Sequence, residues 1–272
     1  MIQVVDRVPT YPNRVKITKS NGTSEYVTWE RADEPTVEGT PINKALFDSI
    51  AADQGLASAK TVYVSGSGSN TLGDGSSTSP YATIAKALST LPKNLNGFDV
   101  TLQIATGTYN EDVVVSGFFG GNIILNGTSI TIKSLTVKDG AALHISSGLS
   151  VGVNGSTGVA GIVVQQARLL CFATNMFVTA AQTTGVYVAR DGFAMFGSLL
   201  VDNTTGVAVQ ATSGASVYIE KLSGSNNTGI AIQSGNGARV GFNTKPISAT
   251  STFLTMYGGR IYTGSQADTP NY

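Results

Sequence analysis

The chain has 272 residues, a formal net charge of zero, 12% charged and 41% hydrophobic residues, and 32 glycines. That length suits one elongated β domain with a smaller module, and the lack of a basic excess argues against nucleic acid or strongly anionic surfaces held by charge alone. A single cysteine excludes an internal disulfide, no apolar run approaches the roughly 18 residues of a membrane span, and Met1–Asp6 lacks the basic start of an export signal, so synthesis in a reducing cytoplasm is expected.

Residues 1 to about 58 carry most of the charge density. Val15–Thr18 and Tyr26–Trp29 alternate around Ser20-Asn21-Gly22-Thr23, the pattern of a β-hairpin. Asp33-Glu34-Pro35 interrupts it. Thr40 then reads as a helix N-cap with Pro41 at the first position and Ile42, Ala45, Leu46 and Ile50 on one face, ending near Gly55. Together these make a small β-plus-helix module.

Residues 59–98 form a lead-in: a strand at Thr61–Val64, a loop rich in Gly and Ser from Ser65 to Ser79, and helical spacing from Pro80 to Leu91, stopped by Pro92. A short amphipathic helix here has a physical task. The first coil of a stacked fold has no upstream neighbour, so its apolar end and strand edges need a cover.

From Val100 to about residue 250 the chain consists of short alternating runs separated by Gly or Asn, with two or three strands expected per coil. Four segments beginning Ala160-Gly161-Ile162, Thr184-Gly185-Val186, Thr205-Gly206-Val207 and Thr228-Gly229-Ile230 align without gaps and recur at near-equal intervals. A fixed period in the low twenties is what a β-solenoid needs: each coil cannot bury its inward residues alone, so neighbours stack and share one core. Residues 251–272 read as a last coil, a cap or a strand exchanged with a partner chain, with a loose tail from Gln266.

Two stretches resemble known families. Tyr63-Val64-Ser65, Gly73-Asp74-Gly75, Ser79-Pro80-Tyr81-Ala82-Thr83-Ile84 and Thr101–Glu111 with its Gly107-Thr108-Tyr109 are similar to the start of pectin-lyase-like right-handed parallel β-helices, a pattern frequent in bacteriophage tail spikes and in some surface adhesins. Tyr11–Ile17, Arg31–Thr36 and Glu38–Ala45 resemble the start of tail appendage proteins from phages and prophages of Gram-positive bacteria. The resemblance implies an all-β, single-stranded right-handed parallel β-helix with coils of about 21 to about 24 residues. It also implies a homotrimer, carried on a virion tail after synthesis in the host cytoplasm. It further implies that the N-terminal module docks to other tail or baseplate proteins, through Tyr11, Arg14, Trp29, Arg31, Asp33, Pro35, Pro41 and Asn43.

The residues themselves argue against catalysis within one chain. A glycosidase needs two carboxylates about 5–9.5 Å apart. Between Val113 and Ile261 the acids are Asp139, Asp191, Asp202 and Glu220, and the glycine register sets Asp191 over Ser213 and Asn236 and the position below Asp202 near Val178. No two acids align, so no catalytic residue is expected; if the chain is an enzyme, Asp191 and Asp202 are the candidates. Glu111-Asp112 reads as a solvated turn, Asp74 as a turn aspartate rather than a calcium ligand, and Cys171 as a small buried hydrophobe. His144 alternates with Leu143 and Ile145 and points outward, without a second ligand at metal spacing. No metal or cofactor motif is present.

Tyr187, Phe193, Phe196 and Tyr218 fall on successive coils and are the candidate binding residues, since outward aromatics stack on sugar rings. Ala208 and Ala231 fall in the places matching Tyr187, which breaks that ladder and favours a subunit contact or ordinary exposure. Three functions follow as expectations. The first is a non-enzymatic, receptor-binding or decorating tail appendage that acts as a rigid trimeric rod at the bacterial surface, with host polysaccharide as a further partner. The others are a tail-spike depolymerase with an inter-subunit active site, and a surface adhesin.

Overall fold

The computed structural model describes residues 14–18, 22–28, 55–146, 148–152, 160–172, 176–179, 184–244, 247, 249, 251–263 and 266–267. The chain divides into two units, Met1–Gln54 and Gly55–Tyr272. In the first, Arg14–Thr18 pairs antiparallel with Ser24–Thr28, with Val15 opposite Val27 and Ile17 opposite Glu25, which is the expected hairpin. The helix expected from Thr40, and all the attachment residues except Arg14, lie outside the described residues. The boundary falls slightly before residue 58. The Leu56 amide donates to the Asn94 carbonyl at 3.1 Å and Asn96 Nδ2 donates to the Leu56 carbonyl at 3.0 Å, which ties this stretch to the second unit.

The second unit is a right-handed parallel β-solenoid. Its strands stack into three parallel ladders, the faces of a prism. Face A runs from Lys60–Val64 through Val100–Ile104, Ile123–Asn126, Ala142–Ile145, Arg168–Cys171 and the first halves of Phe193–Asp202 and Ser216–Ser223 to Arg239–Thr244 and Arg260–Thr263. Face B contains the starts of Gly107–Ser116 and Ile130–Lys138, then Leu149–Val151, Met176–Thr179 and the second half of Phe193–Asp202. Face C contains the ends of Gly107–Ser116 and Ile130–Lys138, then Ala160–Gln165, Thr184–Ala189, Val207–Ala211, Ile230–Gly235 and Ser251–Met256.

The alternation in the sequence decides what each face buries. In Val100–Ile104 the even-numbered positions are buried and the odd-numbered ones face outward. The inward column of face A then reads Val100, Ile123, Leu143, Leu169, Ala194, Val217, Val240 and Ile261, one residue per coil and all buried. Full burial of each aliphatic side chain contributes roughly 1.5–3 kcal/mol, and the columns of all three faces meet in one continuous core. Cys171 belongs to it, between Ile145 and Phe196.

The lead-in closes this core. The capping helix (α1, Ile84–Ser89) is shorter than the spacing from Pro80 suggested. Asn70 Oδ1 accepts the amides of Ala82 and Thr83 at 3.0 and 3.2 Å, and Tyr81 bridges to Val64, so residues 80–83 stay outside the helix. Thr83 is the N-cap, its Oγ1 accepting the Lys86 amide at 3.1 Å, while Thr90 Oγ1 donates to the Ala87 carbonyl at the other end. Ile84, Ala87 and Leu88 are buried against the first coil.

From Lys138 onward, every corner between faces C and A carries a residue in the left-handed region. Asp139, Gln166, Arg190, Ser213, Asn236 and Tyr257 each turn it with φ between 49° and 56°, the left-handed region. Coil-to-coil bonds follow it: the amides of Asp191, Gly214 and Gly237 donate to the carbonyls of Ser213, Asn236 and Tyr257 at 3.0, 3.1 and 3.2 Å.

The glycine register needs one correction. Thr184 lies beside Val207 and Val186 beside Val209, so Gly185 is level with Ala208 and Ala231 rather than with Gly206. Thr205-Gly206 stands two positions ahead of the place that Thr184-Gly185 occupies on its own coil. A displacement of two keeps inward residues inward, so the slip leaves the face assignments intact while changing which residues are neighbours. At the far end, Ser251–Met256 and Arg260–Thr263 form a last coil of the same chain, and Gln266–Ala267 folds back antiparallel instead of starting a loose tail.

Candidate binding surface

The carboxylates serve the fold. Glu111 is no solvated turn residue: its Oε1 accepts the Ile84 amide at 2.8 Å and its Oε2 the Ala85 amide at 2.9 Å, which fixes α1 to the first coil. Asp112 accepts from Ser134 Oγ and Asp139 from Ser116 Oγ, each at 2.6 Å, joining neighbouring coils. Asp74 accepts the Ser76 amide at 2.9 Å within its own turn, which holds its carboxyl below the usual 3.8. Among the described residues no three His, Cys, Asp or Glu side chains gather as a metal site.

The two candidate catalytic acids are not brought together. Asp191 turns the C–A corner, level with Gly214; the missing Cβ of Gly214 leaves the space that its carboxylate enters, and Arg190 is the residue level with Ser213. Asp202 ends face B, level with Thr179, and accepts the amide and hydroxyl of Ser225 on the next coil at 2.6 and 3.0 Å. They occupy different corners of the prism.

The four aromatics also separate. Phe196 is fully buried in the face A core column, between Cys171 and Ile219, and cannot stack on a ligand. The run Phe193-Ala194-Met195-Phe196 places 194 and 196 inward, so spacing along the chain without the strand phase misassigned it. Tyr187 faces outward on face C, level with Val163 and Gln210 rather than Ala208. Phe193 and Tyr218 face outward on face A, on adjacent strands.

Face A has an outward column of low polarity: Ile124, His144, Leu170, Met195, Tyr218, Gly241 and Tyr262. His144 packs edge-on against Phe172, ring centroids 5.5 Å apart. Towards the last coils the column changes character. Gly241 offers no side chain, and the Tyr218 ring lies against it, with Cδ2 at 3.5 Å from where a Cβ would stand. Asn243 Nδ2 donates to the Tyr218 hydroxyl at 2.8 Å and fixes the ring in that position. Arg239 and Arg260, both exposed, are lateral neighbours on one side of this ring, while the exposed Glu220 stands on the other side. Sequence reading found Tyr218 and missed the residues around it, because they become neighbours only through the coil register.

No protein-family model, curated protein or solved structure matches this chain.

Proposed function

We propose that this chain is a non-enzymatic component of a virion: an appendage of a phage tail or baseplate that meets the bacterial surface. Its N-terminal module anchors it to neighbouring tail proteins, and the solenoid acts as a rigid rod in three copies. The observation that carries this reading is the use of the carboxylates. Asp99, Glu111, Asp112, Asp139 and Asp202 each accept a hydrogen bond that links one coil, or the cap, to the next. Asp191 and Asp202, the two candidate acids, stand at separate corners and do not form the close carboxylate pair that a glycosidase uses. The resemblance of Tyr11–Ile17 and Glu38–Ala45 to tail appendage proteins supports the virion assignment.

The test is mass spectrometry of purified particles from the producing cells, with light scattering on the isolated protein. The reading expects the chain in particles, a molar mass near three times 28.0 kDa, and loss from particles when residues 1–54 are deleted. Release of oligosaccharide from envelope material, abolished by Asp191→Asn or Asp202→Asn, would replace it with the depolymerase. Absence from particles together with display on the producing cell would replace it with the adhesin.

A further inference from the structure

We infer that the Tyr218 platform on face A is a binding site for a sugar that carries a carboxylate, with Arg239 and Arg260 holding the acid group. The inference deepens the reading that the rod meets surface polysaccharide and rests on it only for the biological source of the ligand. The site itself follows from residues already described. Tyr218 lies across the gap left by Gly241 and is pinned by Asn243, so its ring is in place before any ligand arrives. The Tyr218 ring is part-exposed on the outward side of the sheet, and an exposed aromatic ring is a surface on which the C–H face of a sugar packs. Preorganisation matters here, because an exposed single ring otherwise loses side-chain entropy on binding.

The charges give the ligand its sign. Arg239 lies two positions from Gly241 on the same outward side, about 7 Å along the strand, and Arg260 is its lateral neighbour about 4.8 Å away. Two exposed guanidinium groups stacked on adjacent coils repel each other. Among the described residues neither has a carboxylate within ion-pair distance to supply a counter-charge. A carboxylate received by two guanidinium forks supplies that charge with directed hydrogen bonds. Glu220, on the opposite side of Tyr218, repels an acid and so fixes which way round the sugar lies.

The experiment uses the full chain and a defined probe, a glucuronate-containing tetrasaccharide, titrated by calorimetry at low salt. Its methyl ester serves as the uncharged twin, and inorganic tripolyphosphate as an anion without a sugar ring. The expected result is saturable binding of the acid form and about tenfold weaker binding of the ester. Arg239→Gln and Tyr218→Ala are each expected to lose about tenfold as well. Tyr218→Phe keeps the ring but loses the Asn243 bond that pins it, and is expected to bind between the native chain and Tyr218→Ala, while an unchanged melting temperature in Arg239→Gln and Tyr218→Ala controls for folding. Equal binding of tripolyphosphate, or no difference between acid and ester, overturns the inference. So does a change of molar mass in Arg239→Gln without any saccharide binding, which would make this face a contact between copies of the chain. Saccharide binding by a protein absent from virions would sink the virion reading and leave this site standing.

Discussion

The Glu111 carboxylate on the first coil accepts the amide of Ile84, 27 positions earlier, at 2.8 Å, and its second oxygen takes the amide of Ala85. One side chain thus satisfies two of the four amides that a helix start leaves unpaired, and places negative charge where the helix dipole favours it. Replacement by alanine is expected to cost about 1–2 kcal/mol, since the site is only partly buried. Hydrogen exchange would rise first at Ile84 and Ala85. Unchanged exchange at these amides in Glu111→Ala would show that the cap is held by packing alone.

Asn227 is buried and fully satisfied: its Oδ1 accepts from Thr204 N and Oγ1 at 3.0 and 2.6 Å, and its Nδ2 donates to the Val201 carbonyl at 2.9 Å. Asn227→Ala leaves those groups buried without partners, a loss of about 2–4 kcal/mol. Urea unfolding measures it. A double-mutant cycle with Thr204→Val is expected to show coupling of about 1 kcal/mol or more.

Two glycines separate close packing from open surface. A Cβ on Gly185 would stand 2.6 Å from both the Ala208 carbonyl oxygen and Val201 Cγ1, whereas on Gly241 the nearest atom is at 3.5 Å. Gly185→Ala is therefore expected to destabilise by about 1–3 kcal/mol and Gly241→Ala to be close to neutral. Equal melting temperatures for the two variants would contradict the coil register.

Burial pushes the Tyr109 phenol above its ordinary 10.0; the Glu111 charge adds to this and a hydrogen bond from the Gly66 backbone opposes it. A raised value in the folded state means the stabilisation is complete below 10 and is lost as pH rises from there through the folded value. Tyr109→Phe also removes the bond from the phenol to the Ala105 carbonyl, at 2.9 Å, which costs about 0.5–1.5 kcal/mol at neutral pH. The stability difference between the two proteins is expected to shrink as pH rises above 10, read from urea midpoints across that range.

The left-handed corner can be improved. Gln166, at φ 49°, occupies a conformation that costs a residue with a Cβ roughly 1 kcal/mol or more, and Asn or Gly tolerates it better. Gln166→Asn is expected to raise the melting temperature and Asn236→Ala to lower it. A fall in both variants would mean that side-chain contacts, not backbone preference, govern the corner.

The solenoid was legible in the sequence because inward and outward residues alternate at period 2 within runs such as Val100–Ile104, and because a coil is a local unit of nearly fixed length. So was the capping helix, through Pro92 and the apolar spacing of Ile84, Ala87 and Leu88. The lateral register was less legible. Thr-Gly pairs recur, but Thr205-Gly206 stands two positions ahead of its counterpart, and nothing local reveals such a slip. Phe196 was misplaced for want of strand phase, and the role of Glu111 depends on a contact between residues far apart along the chain. The Tyr218 surface needed all of these at once: phase, register, and the recognition that Gly241 leaves a gap.

The inward column from Val100 to Ile261 turns chain length into a ruler. Each coil adds one residue to that column and about 4.8 Å to the stack, and from Asp139 onward every C–A corner opens on a left-handed residue. Duplication or deletion of one whole coil therefore changes reach in fixed increments without requiring a new corner or a new core. Deletion of a single residue inside a strand turns the rest of that strand's inward residues outward. The coils already differ in length, from 20 residues between Ile123 and Leu143 to 26 between Leu143 and Leu169, so the corners absorb small insertions while the stacked columns keep their phase.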